Sequence, residues 1–429
     1  MIKRGVLSLL ILLISFGLAL ANEAQISKLD TGDTAWMLIS TALVMLMTVP
    51  GLALFYGGLS KKKDIVNTMV MCLVAYAIVS FLWVLYGYTL AFNGDVGGVI
   101  GILSKFMLNG VTMESLNGSI PEYLFISFQL TFGAITVALI SGAYIERVKF
   151  SAWILFTILW FSLVYVPVAH WVWGGGFLAK LSALDFAGGT VVHINAGIAA
   201  FVGALFLGKR KVPILKPHNL TLVAIGTGLL WFGWFGFNAG SAVASNSLAA
   251  IAFLNTNTAA AIAALTWIII ERFTTKKATL LGFCSGAVAG LVAITPAAGF
   301  VNLLGAIIIG IFGALLPFFA VSKMKPAFGY DDALDVFGIH GIAGIIGAIL
   351  TGILADPSIN SAGKGLLYGN PSQLLIQALS IGIVIIYDLI ITILILLLVK
   401  VITGLRVSEE EELSGLDLSQ HGERAYDLE

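Results

Sequence analysis

The sequence predicts an all-α integral membrane protein, a bundle of eleven transmembrane helices arranged as an inverted five-plus-five helix repeat. Three observations predict it: a composition that water cannot solvate, eleven apolar runs of spanning length whose basic flanks alternate, and a motif recurring around one histidine in each half. Of 429 residues, 59% are hydrophobic and only 11% are charged, and the mean hydropathy is +1.00. Soluble chains carry about 25% charged residues, so lipid must be the solvent for most of this one.

After residue 30 the apolar runs cover 34-60, 65-91, 120-146, 151-172, 188-208, 219-241, 248-271, 279-297, 301-321, 335-355 and 373-400. Each reaches across about 30 Å of hydrocarbon at a helical rise of about 1.5 Å per residue. Glycines recur inside them, as in Gly282, Gly286 and Gly290 or Gly305 and Gly313, and small residues let membrane helices approach closely. Pro50, Pro167, Pro296 and Pro317 fall in or near run ends and are expected to mark kinks.

The connections set the topology. With the mature N-terminus outside, the connections predicted to be cytoplasmic hold Lys61, Lys62, Lys63, Arg147, Lys149, Lys209, Arg210, Lys211 and Lys216. They also hold Arg272, Lys276, Lys277, Lys323, Lys325, Lys400 and Arg406, whereas the opposite ones carry only Lys105, Lys180 and Lys364. One miscounted helix would reverse every later loop, so this bias fixes the topology more firmly than any helix boundary.

Residues 1-21 have Lys3 and Arg4, an apolar stretch and the small-residue pattern Ala19-Leu20-Ala21, the order of a secretory signal peptide cut after Ala21. An uncleaved first membrane helix is the alternative. Residues 22-403 form the transmembrane domain and 404-429 an acidic cytoplasmic tail, either a solubilising end or a docking element.

Several classes are excluded. Lys+Arg and Asp+Glu both number 23, leaving no net field for nucleic acid. Cys72 and Cys284 lie in apolar runs and read as small buried hydrophobes. Five histidines without CxxC spacing support no structural metal, and no cofactor is expected.

Two histidines stand within apolar runs, His193 in GGTVVHINAGIAA and His340 in LDVFGIHGIAGII. Both open an H-x-x-A-G-I pattern, and both follow an aspartate by eight residues, Asp185 and Asp332. They belong to runs five and ten. An odd number of crossings per half inverts the second half, so a pseudo-two-fold axis in the membrane plane would bring the imidazoles together near mid-bilayer. A histidine bonded to a backbone carbonyl is the plainer reading for either one alone. As a pair, ionisable groups in hydrocarbon point to a cavity or to each other, and facing imidazoles can share a proton.

Aromatic rings cluster in YLFISFQLTF (Phe128, Phe132), HWVWGGG (Trp171, Trp173) and LLWFGWFGFNAGS (Trp231, Trp234, Phe237, then Ser241). Ring faces attract a small cation by about 0.5 to 2 kcal/mol each, weakly enough to release it. An interfacial aromatic belt accounts for others of the nine tryptophans. Asp185, beside Gly188 and Gly189, is expected to cap the start of run five.

These strings closely resemble the ammonium transporter (Amt/Mep/Rh) superfamily, prokaryotic Amt branch, from about residue 34 through the tail. The match rests on GLALFYGGL (51-59), FQLTF, GAYIERVKFSAW (142-153), HWVWGGG, ALDFAGGTVVHINAG (183-197), KPHN (216-219), WFGWFGFNAGS, CSGAVAGLVAITPA (284-297), DVFGIHG and GLRVSEEEE (404-412). The resemblance implies a homotrimer in the cell inner membrane, with one pore per subunit. It implies ammonium recruitment by Phe132, Trp173 and Ser241, a phenyl gate of Phe132 and Phe237, and a pore histidine pair, His193 and His340. Phe128, Trp234 and Asp185 would line or support that path, and the tail would meet a PII-type regulatory protein. The implied function is transport of ammonium or ammonia: neutral gas conduction and electrogenic transport are both open, and the paired histidines favour deprotonation of ammonium and passage of ammonia with co-transfer of the proton. Rivals are a channel for small neutral solutes and an ammonium sensor signalling through the tail. An enzyme is not expected, because neither histidine has a nearby nucleophile or metal triad.

Overall fold

The computed structural model describes residues 28–212 and 216–426, so the expected signal peptide lies outside the described residues. Among them, ten helices are long and apolar enough to cross a membrane. In chain order they are α1 Thr31–Leu59, α2 Ile65–Phe92, α3 Glu122–Tyr144, α4 Phe150–Lys180, α5 Gly189–Leu207, α6 Leu220–Gly240, α7 Ser247–Thr274, α9 Leu303–Phe328, α10 Phe337–Leu354 and α11 Pro371–Ile402. Helix α8, Leu280–Ile294, has 15 residues. It is shorter than the expected run 279-297 because Pro296 lacks an N–H and disfavours helix in the residue before it, and the chain leaves through tight turns.

Close helix contacts follow the glycines. A Cβ added at Gly286 would stand 2.6 Å from the Trp267 Cβ, and one at Gly290 would stand 2.4 Å from the Ala263 Cβ. Helix α8 therefore lies directly on α7, as small residues permit. Pro50 sits inside a widened turn, Met47–Leu52, within α1. A second widened turn, Phe161–Tyr165, precedes Pro167 in α4. Helix α4 is interrupted again at Trp173–Gly176 before a last turn, Phe177–Lys180.

The strongly basic connections gather at one end of the bundle. Glu146, fully buried, pairs with Lys61 (3.1 Å) and Arg210 (3.0 Å), and Arg210 also pairs with Asp331 (2.7 Å). That guanidinium holds the Asp331 carboxyl well below the usual carboxylate range, against the opposing effect of burial.

The tail folds against the same end as two short helices, α12 Glu409–Ser414 and α13 Leu416–His421, so it is no loose solubilising end. Ser408 and Glu411 close a capping box at the start of α12. Arg406 reaches the carbonyl of Leu207 at the end of α5 (2.8 Å) and the buried carboxylate of Glu412 (2.6 Å). Asp64 accepts from the Leu416 N–H (2.7 Å), while Asp417 accepts from the Asn67 N–H (2.8 Å), so α2 and the tail satisfy each other's free amides.

Candidate functional site

Helices α5 and α10 start alike. The Asp185 carboxylate accepts from the N–H groups of Gly188 (2.9 Å), Gly189 (2.6 Å), Thr190 (2.8 Å) and Val191 (3.1 Å). Asp332 accepts from the Phe337 N–H (2.7 Å), in the equivalent register. Each helix then opens in a widened turn, Gly189–Ile194 or Phe337–Ile342, and each of these turns carries its histidine. Such turns displace a side chain from the ordinary helical spiral and are common at functional positions.

The two histidines meet. Their Nδ1 atoms are 3.2 Å apart, their ring centroids 5.3 Å apart, and both rings are buried. One Nδ1 must donate while the other accepts, which leaves opposite tautomers facing outward. The His193 Nε2 has no hydrogen-bond partner. Below the rings the helices cross reciprocally. A Cβ on Gly197 would stand 2.4 Å from Gly341, and one on Gly344 would stand 3.2 Å from the Ile194 nitrogen. Gly197 and Gly344 each lie four residues past a histidine, whereas Ile194 and Gly341 each lie one past.

Above the pair, Phe132 and Phe237 stack with centroids 4.2 Å apart at 26°. Trp173 meets Phe132 edge-on at 5.8 Å, and its Nε1 donates to the Asp185 carbonyl (2.9 Å). The Ser241 hydroxyl donates to the Phe237 carbonyl (2.8 Å), which leaves the oxygen lone pairs as acceptors. Phe132, Trp173, Ser241, Gln129, Phe92 and Phe125 line a cavity of about 290 Å³. Phe128 stands behind Phe132 at 4.9 Å and does not line that cavity.

Trp234 stacks on His193 (5.4 Å, 21°) and donates to the Thr295 hydroxyl (2.9 Å). A space of about 10 Å³ between Trp234, Val288, Leu52 and His340 is at the limit of one water. His340 also borders a second cavity of about 270 Å³ that includes Tyr56, Arg210, Lys325 and Asp335. Of the nine expected residues, Phe132, Trp173 and Ser241 line the first cavity, Phe237 stacks on Phe132, Trp234 and His340 lie against His193, Phe128 stands behind Phe132, and Asp185 caps α5. Sequence reasoning missed Gln129, Thr295 and Tyr56. Gln129 lies within the FQLTF string and faces the vestibule one turn from Phe132, but Thr295 is marked only by its bond to Trp234.

A lipid-soluble helical bundle with two cavities separated by stacked rings and a buried histidine pair defines a membrane transport protein, not an enzyme. The model of the Ammonium Transporter Family matches residues 35–426, and the chain belongs to that family. It is similar to the ammonium transporter of Aquifex aeolicus (strain VF5), with 58% identity over 98% of both chains. The ammonium transporter of Bacillus subtilis (strain 168) is 52% identical over 93% of this chain and 99% of its own. Among solved structures, Candida albicans Mep2 superimposes with a TM-score of 0.84 at 39% identity, covering 93% of this chain and 91% of its own.

Proposed function

We propose that this chain carries ammonium across a cell inner membrane, capturing the cation outside and passing ammonia and a proton inward. The observation that carries this reading is the Nδ1 contact of 3.2 Å between His193 and His340, beneath a stacked ring pair and between two cavities.

Ammonium enters the outer cavity by attraction to the faces of Trp173 and Phe132, and donates to the free lone pairs of Ser241. Potassium is similar in size but has no hydrogens to donate, so it gains less once its water is stripped. An intact cation moving past Phe132 and Phe237 into apolar surroundings would lose several kcal/mol of hydration. Giving up the proton removes that cost, and ammonia then passes the imidazoles.

The proton has its own route. Starting with hydrogen on His193 Nδ1 and His340 Nε2, a proton arriving at His193 Nε2 displaces the Nδ1 hydrogen to His340 Nδ1, and His340 releases its Nε2 hydrogen into the inner cavity. One proton is transferred and both rings change tautomer, so each cycle includes a reset. Reconstituted wild-type and His193→Ala proteins, pulsed with ammonium while current and internal pH are recorded, test this. Wild type is expected to give an inward current that the variant lacks. Ammonia entry without current would reject the proton route, and no ammonium-dependent flux would reject the reading as a whole.

Eleven crossings, with α8 among them, and an inverted repeat complete the proposal. The reciprocal glycine contacts of α5 and α10 and the matching caps of Asp185 and Asp332 support the repeat. The basic connections, gathered with the tail, support a cytoplasmic C-terminus and an outer N-terminus after removal of residues 1-21 as a signal peptide. A homotrimer fits Asn257, an amide exposed beside Phe253 and Leu254 three turns into α7, because lipid accommodates such a group poorly and a second copy would cover it. A PII-type protein is the partner proposed for the ordered cytoplasmic face. The relatives named as transporters favour transport over a sensor role.

A further inference from the structure

We propose that His170 is a positioning residue for the outer cation site, wedging the end of α4 against the end of α2 so that the Trp173 ring is held over Phe132. The inference rests on the proposed reading of Trp173 as part of the recruitment site.

His170 lies three residues before Trp173 and is fully buried. Its Nδ1 lies 3.0 Å from the carbonyl of Ala91 in the last turn of α2, and its Nε2 lies 3.0 Å from the Asp95 carboxylate. Its own carbonyl accepts from the N–H groups of Gly174 (3.0 Å) and Gly176 (2.9 Å), closing the turn that ends the main part of α4. The ring also presses on the residue after Trp173. A Cβ on Gly174 would stand 2.8 Å from the His170 Nδ1 and 1.9 Å from the Ala91 oxygen, so these groups pack without a gap.

The loop after α2 continues the clasp. Asp95 accepts from the Gly98 N–H (2.7 Å) and pairs with Lys180 (2.5 Å). Trp171 donates to the Val99 carbonyl (2.8 Å), and the Phe177 N–H donates to the Gly98 carbonyl (2.9 Å). The loop therefore grips α4 on both sides of Trp173, and His170 is its buried centre. The Trp173 side chain makes one hydrogen bond, to the Asp185 carbonyl, and one edge contact with Phe132. An indole tethered at one edge keeps its direction only if its backbone is fixed, and His170 fixes it. A merely space-filling histidine would need neither this placement nor an oxygen facing each ring nitrogen, one at the end of α2 and one in the loop that follows it.

The test measures ammonium-induced currents in liposomes for wild type, His170→Ala, His170→Gln, Asp95→Asn and Trp173→Ala, with gel filtration and thermal melting as checks of folding. His170→Ala is expected to raise the half-saturating ammonium concentration about tenfold while the maximal current stays within about twofold, the pattern of lost binding rather than lost conduction. His170→Gln, which can still donate to one acceptor, recovers part of the affinity. Asp95→Asn weakens it by about threefold. Unchanged half-saturation in folded His170→Ala overturns the proposal, and so does an equal loss of maximal current across the variants. Should His170→Ala fail to fold, His170→Gln and Asp95→Asn decide by the same criterion. If Trp173→Ala itself leaves half-saturation unchanged, the recruitment reading fails; if only the His170 and Asp95 variants do, the positioning role fails alone.

Discussion

Gly197 of α5 lies against Gly341 of α10 so closely that a Cβ on Gly197 would stand 2.4 Å from the Gly341 Cα. This crossing comes four residues after His193 and one after His340, and it is what lets their imidazoles reach each other at 3.2 Å. Gly197→Ala must push the helices apart, at about 1–3 kcal/mol for overpacking a filled site. A lower melting temperature together with lost ammonium flux is expected. Gly228→Ala in α6, where an added Cβ meets nothing within 4 Å, should change neither.

Phe237→Ala removes one of the two stacked rings between the outer cavity and His193. The opened space should admit water, so osmotic water permeability of reconstituted vesicles rises and preference for ammonium over potassium falls. Unaltered water permeability would argue that another barrier closes the path.

Arg406→Ala leaves the Glu412 carboxylate, 1% exposed, without the guanidinium that pairs with it. Breaking a buried pair on one side costs about 3–5 kcal/mol, an upper bound here because Arg406 is partly exposed. The tail should therefore come free of the Leu207 carbonyl and become a substrate for limited proteolysis, while α1 to α11 stay resistant.

Tail docking should also depend on pH. Burial, and then the neighbouring Glu146 carboxylate, push the Asp64 carboxyl up to about 7. A group raised when docked favours docking below its free value near 3.8 and loses that contribution as pH climbs to about 7. Asp417, raised mainly by burial, acts in the same direction, whereas burial lowers the His421 imidazole, which opposes docking as pH falls. Asp64→Asn keeps an acceptor for the Leu416 N–H and sheds the titrating charge. Protease protection of its tail should exceed that of wild type at pH 8 and converge with it near pH 5.

Most of the candidate site's residues were legible because they announce themselves chemically. Imidazoles at 193 and 340 are anomalous in apolar runs, and the shared pattern around them predicts helices that start alike, as Asp185 and Asp332 do in capping them. Thr295 and His170 gave no such signal. A threonine among alanines, or a histidine beside tryptophans at a helix end, is common in any membrane protein, and its partner lies tens of residues away. The length of α8 was also misjudged, since its hydropathy continues through Pro296 although the helix does not.

The linear chain by itself determined the solvent, the succession of apolar helices and the alternation of basic connections, because hydropathy and charge act locally and are read one segment at a time. The tertiary structure alone decided that Nδ1 meets Nδ1, that Ser241 keeps its lone pairs free, and that the tail and α2 cap each other. Those relationships depend on how closely two distant backbones approach, which glycine contacts and helix crossings set and no local pattern encodes.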